Sequence, residues 1–596
     1  MDKQTTIGFI LIGLVLIVWM WVQAPPPQRG QTPAVDTTHV ARPVEQPRRD
    51  TIQTVPPAAR VLRADSLGKF FAPFSSGENK ILIVKTDLYT AEVTSKGGLI
   101  GKWELTKFKT WDQYPVQLVD YDKGGDLSLL FTSSDGRLIN TRNLYFSSGF
   151  RNWTTVELHG DQSYTVDLEL PLGEGKSIVK RFTFENGKYS CTATFLFKGV
   201  QDIISNFEYQ VVWENGLRYA ERNSVDESQY AQGYVYSGGE LADINATHDN
   251  EPVERDITGV TDWVATRNRY FGLALISADG KAQGAYLRGI HFSQPDKGSK
   301  KVYTLALKMP LRADTDTSTF TVFLGPLDFS IIKSYGHSLD QIMSLGAAWI
   351  IRPIAEYLMI PLFQFLHILI PNFGLVIIVF SIIIKLALHP LSKTSMKSMK
   401  KMQALQPLMT EISEKYKDDP QKMNQQVMNL YKDYGINPAA GCLPLLIQMP
   451  ILFALYSVFR SSIELRQASF MWWIKDLSIP DVVFKLSFSL PFVGISEVSG
   501  LALAMGITMF IQQKMTVTDP RQKAMVWMMP VMMTLLFNGF PSGLNLYYFV
   551  FNLLSIGQQV WVNKQSGNEP LKKVVRKPGS GGIMARLTKD LPKMKR

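Results

Sequence analysis

The chain has 596 residues, a formal net charge of +11, 45% hydrophobic and 19% charged residues, and two cysteines. Two cysteines exclude a disulfide-built scaffold and a Cys-rich zinc site, while the length allows several domains. Mean hydropathy is near zero, an average over a polar first half and an apolar second half, with the positive charge gathered in Lys393–Lys432 and after Lys564.

Residues Ile7–Val22 form an apolar run behind Lys3. Val22-Gln23-Ala24 resembles a peptidase site, but Pro25 follows directly and should block cleavage. Residues 1–23 are therefore expected to be an uncleaved anchor with a cytosolic N-terminus. Residues 24–60 are rich in proline and polar groups (APPPQRGQTP, VPPAA) and read as a semi-rigid periplasmic spacer.

Residues 61–327 read as an all-β domain. Tyr89, Ala91 and Val93 alternate with Thr90, Glu92 and Thr94. In RFTFENGKYSCTATFLF, Phe182 and Phe184 share a face with Tyr189, Cys191, Ala193, Phe195 and Phe197, and Asn186-Gly187 predicts a primed two-residue turn. Cys191 is then a core residue. Tyr303, Leu305, Leu307 and Met309, and later Phe320, Val322 and Leu324, repeat the alternation. Many short strands over this length predict a large β-sandwich. Its histidines, His159, His248 and His291, have no metal-ligand spacing, and the chain has no HExxH motif or P-loop, so no cofactor is expected.

Residues 328–371 carry apolar positions at helical spacing, interrupted by Pro353 and Pro361, with Arg352, Glu356 and Gln364 on a wetter face. An amphipathic helix lying on the outer membrane surface is expected here. Asn372–Leu391 (NFGLVIIVFSIIIKLALHPL) is apolar enough for a span and carries Lys385. A charge in a span costs roughly 2.5–3.5 kcal/mol on insertion scales, so Lys385 marks a functional site or snorkels to the interface. Residues 392–437 are lysine-rich and cytosolic by charge. Met402, Leu405, Met409, Ile412 and Tyr416 recur at helical spacing, as do Met423, Val427, Leu430 and Tyr434. Asp419-Pro420 opens the second run as N-cap and first helical residue. This predicts a helical hairpin, with Met402 and Met409 as adaptable contacts for substrates or targeting factors.

Further spans are expected over Gly441–Phe459, Ser499–Gln512, Ala524–Asn538 and Leu544–Asn563, followed by a basic tail over 565–596. The core, residues 372–564, thus has five spans with every basic loop inside. The last pair carries Asn538, Asn545, Tyr547, Tyr548, Asn552, Gln558 and Gln559. These side chains act as interhelical glue or, together with Lys385, Ser381 and Gln448, line a polar cavity.

The segments NPAAGCLPLLIQMPILFALY, SIELRQASFMWWIKDLS, GITMFIQQKM, TDPRQKAMVWMMPV and FPSGLNLYYFVFNLLSIGQQ resemble, in order and spacing, the YidC membrane-protein insertase family of Gram-negative type. KGGLIGKWEL, DWVATRNRYF and FLGPLDF extend the resemblance over nearly the whole chain. It implies a polytopic α-helical membrane protein with a periplasmic β-super-sandwich. It also implies a hydrophilic groove open to cytosol and lipid, through which membrane proteins are inserted without an enzymatic step. Lys385 aligns with the groove's positive residue, usually Arg. Ser381 and Tyr548 align with groove or substrate-contact positions, and Gln448, Asn545 and Asn552 join them. Met449, Met528 and Met532 fall on the substrate slide. Implied partners are nascent membrane proteins, lipids, the Sec translocon, the signal recognition particle receptor and the ribosome, at the inner membrane. Two other readings stay open on the residues alone: a secondary transporter using Lys385, and an envelope scaffold presenting the sandwich. Solute uptake would mark the first; loss of function on deleting the β domain would mark the second.

Overall fold

The computed structural model describes residues 67–436, 443–488, 495–516 and 523–565. The anchor, the spacer and the basic tail lie outside the described residues. The described chain forms two compact units, one running to Ser344 and one built chiefly from Leu345 onward.

The first unit is all-β in its core, with sheets of five, nine and six strands. At the centre of the nine-stranded sheet run Phe271–Ser277, Thr315–Pro326, Ser190–Lys198, Lys176–Glu185 and Ser163–Gly173, each antiparallel to the next. The alternation read in the sequence is the alternation that is buried: Tyr89, Ala91, Val93, Phe182, Phe184, Cys191, Leu305 and Phe320 are all inside. Phe182 pairs across from Ala193 and Phe184 from Cys191. The connection between those two strands differs from the expected primed turn. It spans residues 186–189, and within it only Gly187 takes a positive φ, 80°. A primed two-residue turn needs positive φ at its first central residue, here Asn186, and type I′ needs it at both. Asn186 is held instead by its side chain, whose Nδ2 donates to Asp87 Oδ2 (2.6 Å) and Gly160 O (3.0 Å) and whose Oδ1 accepts from Asp87 N (2.8 Å).

Lys180 lies inside this unit, fully buried. Its Nζ donates to the carbonyls of Gly97 (2.8 Å), Gly98 (3.2 Å) and Leu127 (3.0 Å), tying two loops to the strand Lys176–Glu185. Three carbonyls match the three donors of an ammonium.

The amphipathic helix expected over 328–371 does not begin at residue 328. Asp328 caps the short helix Phe329–Ser334, which belongs to the β unit. Gly336, His337 and Ser338 then take φ of 70°, 50° and 57°, which no helix can continue through. Trp263 Nε1 donates to His337 O and Arg267 Nη1 to Ile342 O, both at 2.8 Å, so the strand Thr261–Arg267 holds this segment. After a 3-10 turn at Leu339–Ile342, α-helix resumes at Ile351–Ile354, passes through a π-turn at Ala355–Met359 and continues as α1, Ile360–Leu369. Its faces also differ from expectation. The exposed residues are apolar (Tyr357, Leu358, Phe365, Ile368, Leu369), whereas Arg352 and Glu356 are mostly covered and pair at 3.6 Å.

The second unit continues as α2 (Phe373–Ala387), α3 (His389–Ala404), α4 (Gln406–Lys415), α5 (Pro420–Asp433), α6 (Leu443–Ser461), α7 (Gly500–Thr516), α8 (Lys523–Phe537) and α9 (Ser542–Gln565). Asn372 caps α2, its Oδ1 accepting from Leu375 N. Pro390 lacks an N–H and its ring clashes with the preceding turn, and here α3 departs from α2 at 63°. Among the described residues no single helix is long and apolar enough to cross a membrane; α2 and α3 together pass that test as a bent pair, and Val526–Phe537 is a shorter apolar helix. α4 and α5 pack against each other, and Asp419 Oδ1 accepts from Lys422 N at 3.0 Å to cap α5. Their common core is Leu405, Met409, Val427, Tyr431 and Ile436.

Candidate functional site

Lys385 sits in the last turn of α2, one turn after Ser381 and on the same face. Both side chains are buried. A cation in the last helical turn is favoured by the helix dipole. Ser381 Oγ donates to Ile377 O (2.7 Å) on its own helix. Lys385 reaches α9 instead: Nζ donates to Ser555 Oγ at 2.6 Å and stands 4.4 Å from the centre of the Phe551 ring. No carboxylate pairs with it among the described residues.

The face of α9 turned to this cation carries a polar stripe. Asn545, Tyr548, Asn552, Ser555 and Gln559 follow each other at intervals of three, four, three and four residues, one side of a helix. All but Tyr548 are buried, and Tyr548 has its hydroxyl buried. The hydrogen bonding is incomplete. On the stripe, Asn545 Oδ1, the Tyr548 hydroxyl and Asn552 Nδ2 find no partner among the described residues, and beside it neither do the Tyr547 hydroxyl and Gln558 Oε1. Each such group costs about 1–3 kcal/mol if it stays unsatisfied and dry, so the stripe is built for water or a polar guest.

At the N-terminal end of α9 a second polar group closes the bundle. Asp481 is buried; its Oδ2 accepts from Leu501 N (2.8 Å) and Trp473 Nε1 (2.9 Å), and its Oδ1 accepts from Ser499 Oγ (2.5 Å). Asn538 Oδ1 accepts from Ser499 N (2.9 Å), and Asn545 Nδ2 donates to Phe537 O (3.1 Å) and Ser499 Oγ (3.4 Å). One end of the stripe is thus tied by hydrogen bonds to Ser499 and Phe537, and near the other stands Lys385, with no carboxylate partner among the described residues.

The structure places Lys385 and Ser381 on α2 and Asn545, Tyr548 and Asn552 on α9, and Lys385 meets α9 at Ser555 and Phe551. Gln448 and Met449 lie half-buried on α6, and no described hydrogen bond joins Gln448 to the cluster. Met528 is exposed and Met532 half-buried, one turn apart on α8. The expectation of outward-facing methionines in the hairpin needs correction. Met409 is buried, its Sδ accepting from Tyr431 Oη at 3.3 Å, and Met402 packs against the same core. The helical spacing that marked them marks the hairpin's own seam; the exposed methionine there is Met428. Sequence reasoning missed Ser555, Phe551 and Asp481 as site residues. The signal for Ser555 was present in the three-four spacing of polar residues along α9; Asp481 lies in the connection between α6 and α7 and had none.

Comparison with known proteins follows this geometry. A family model described as 60Kd inner membrane protein matches residues 365–569, and one described as YidC periplasmic domain matches residues 82–357. A curated membrane protein insertase YidC of Chlorobium luteolum is 39% identical over 580 residues, covering 96% of this chain and 97% of its own. The insertase YidC of Chlorobaculum parvum is 39% identical over 575 residues, covering 96% of each chain. A solved structure of an active YidC insertase with its first transmembrane domain resolved aligns with 82% of this chain and 93% of its own, at 20% identity and a TM-score of 0.35.

Proposed function

Since the chain belongs to the YidC family of membrane protein insertases, we propose that the polar stripe of α9, with Lys385 opposite it, is the path by which hydrophilic parts of a substrate enter the bilayer. The protein itself is an inner-membrane insertase of nascent membrane proteins, not an enzyme, and carries a periplasmic β domain. The observation that carries the proposed path is that, among the described residues, buried polar atoms of α9 have no partner and the cation that meets this helix has no counter-ion.

From Asn545 to Ser555 the stripe runs ten residues, about 15 Å along the helix, or roughly half the ~30 Å hydrocarbon thickness. A polar segment drawn into it crosses correspondingly less hydrocarbon. Lys385 attracts acidic groups of that segment through a medium of intermediate dielectric. The substrate's apolar helix then partitions sideways into lipid, driven by about 25 cal/mol per Å² of buried apolar surface. Met449, Met528 and Met532 are assigned to the surface it slides along, since exposed or half-buried methionines adapt to many shapes. Gln448 is assigned to the same wall. The apolar exposed face of the 351–369 segment supports its lying in the outer interface.

The hairpin and the basic tail are assigned to the cytosol by their lysines. There they face the ribosome and the signal recognition particle receptor; the Sec translocon is a lateral partner. Contacts through Met402 and Met409 would require those side chains to leave the hairpin core, so Met428 is the better placed contact.

The test is insertion of a small membrane protein with an acidic translocated tail into liposomes containing only this chain. Wild type should insert it, and Lys385→Glu should lower the yield roughly tenfold. Equal yields would remove the electrostatic role of Lys385.

A further inference from the structure

We infer that Ser555 is a positioning residue for substrate selection: it fixes the ammonium of Lys385 so that acidic segments are preferred over neutral ones. The inference rests on the groove reading above and adds a residue to it. Three observations support it. Ser555 is buried, and its hydroxyl proton is committed to Phe551 O at 2.8 Å. Its lone pairs are therefore turned outward as a fixed acceptor, and Lys385 Nζ meets them at 2.6 Å. The Phe551 ring, one turn away on the same helix, faces the same ammonium at 4.4 Å.

An ammonium has three donors and a four-carbon stem with many rotamers. Ser555 takes one donor and removes most of the stem's freedom, leaving two donors for an arriving carboxylate. Both holding groups are neutral, so the charge is located without being neutralised. A carboxylate at position 555 would hold Lys385 as firmly but cancel the attraction. An alanine would leave the charge free to swing toward the cytosolic end of α2. Ser555 thus sets where along the stripe an acidic group is drawn.

The experiment uses the full chain in liposomes and two single-span substrates that differ only in an acidic or an uncharged translocated tail; the readout is the ratio of their insertion yields. Ser555→Ala should lower the acidic-to-neutral ratio roughly tenfold, the loss of one hydrogen bond to a charged group. Ser555→Thr, which keeps the hydroxyl, should restore it to within about twofold. Ser555→Ala combined with Lys385→Ala should show the ratio of Lys385→Ala alone, because the serine acts through the lysine. An unchanged ratio in Ser555→Ala, an equal fall for both tails, or a double variant worse than Lys385→Ala would each overturn the assignment. Lys385→Glu separates the two levels. If it changes the ratio while Ser555→Ala does not, only the positioning role fails. If it leaves the ratio unchanged, the electrostatic reading of the groove fails and the role of Ser555 with it.

Discussion

Lys385 was legible in the sequence because a cation within an apolar run is rare, and the structure explains how it is held. It lies in the last turn of its helix, where the dipole favours it, and is met by a hydroxyl and a ring. Lys385→Arg should keep more than about half of wild-type insertion of acidic-tailed substrates, since the charge remains, measured by protease protection of the tail. Ser555 was not legible on its own, because a serine in a helix is ordinary; only its place in a stripe distinguishes it. In the β unit, Lys301 is another buried cation held by a neutral group. Its Nζ donates to the neutral amide of Asn245 at 2.7 Å, and burial lowers its pKa to about 8. Between that value and 10.5 the unfolded chain binds the extra proton, so stability rises with pH through this window. The Lys301→Met variant should lose that slope and gain on the order of 1–3 kcal/mol at neutral pH, read from urea unfolding of the full-length protein followed by near-UV circular dichroism. Burial pushes the pKa of Lys180 down as well, but its ammonium satisfies three carbonyls. Lys180→Met leaves all three without a donor and should destabilise the β unit by about 2–4 kcal/mol in the same measurement.

At the scale of elements, period-two and three-four spacing gave the strands and helices, but not which side of a helix is free. Met402 and Met409 share a stripe with Leu405, and only the folding of α4 against α5 shows that the stripe is a seam. Met409→Ser should therefore act on the hairpin itself, lowering hydrogen-exchange protection over residues 405–436 by about 2 kcal/mol or more. Met428→Ser should leave that protection intact. If substrate crosslinking falls for Met409→Ser alone, the hairpin serves as a rigid arm; if it falls for Met428→Ser, its exposed face makes the contact. The same limit explains the segment after 328. Its apolar spacing is helical, yet three successive left-handed residues and the carbonyls captured by Trp263 and Arg267 join it to the sandwich. Such long-range captures leave no periodic trace.

On the scale of the whole molecule, the end of the first unit at Ser344 decides how it can be removed. A deletion ending at 325 would strand Phe329, Ile332, Leu339 and Ile342, all buried in the β unit, as an exposed apolar tail. A deletion of residues 61–344 should give a soluble, active preparation in detergent and keep most of the insertion activity, whereas one of residues 61–325 should aggregate, as size-exclusion chromatography would show. The polar stripe of α9 has one more consequence, for speed. Its side chains recur about every 5 Å along the helix, whereas an extended segment presents a residue about every 3.3 Å. Three residues of an extended segment span about as much as two intervals of the stripe, roughly 10 Å, so only about one residue in three of a passing chain is in step with the stripe at any moment. The path thus holds the chain by few bonds at a time, without a deep resting place. Moving a single polar residue along a substrate's tail should then change its transit time little.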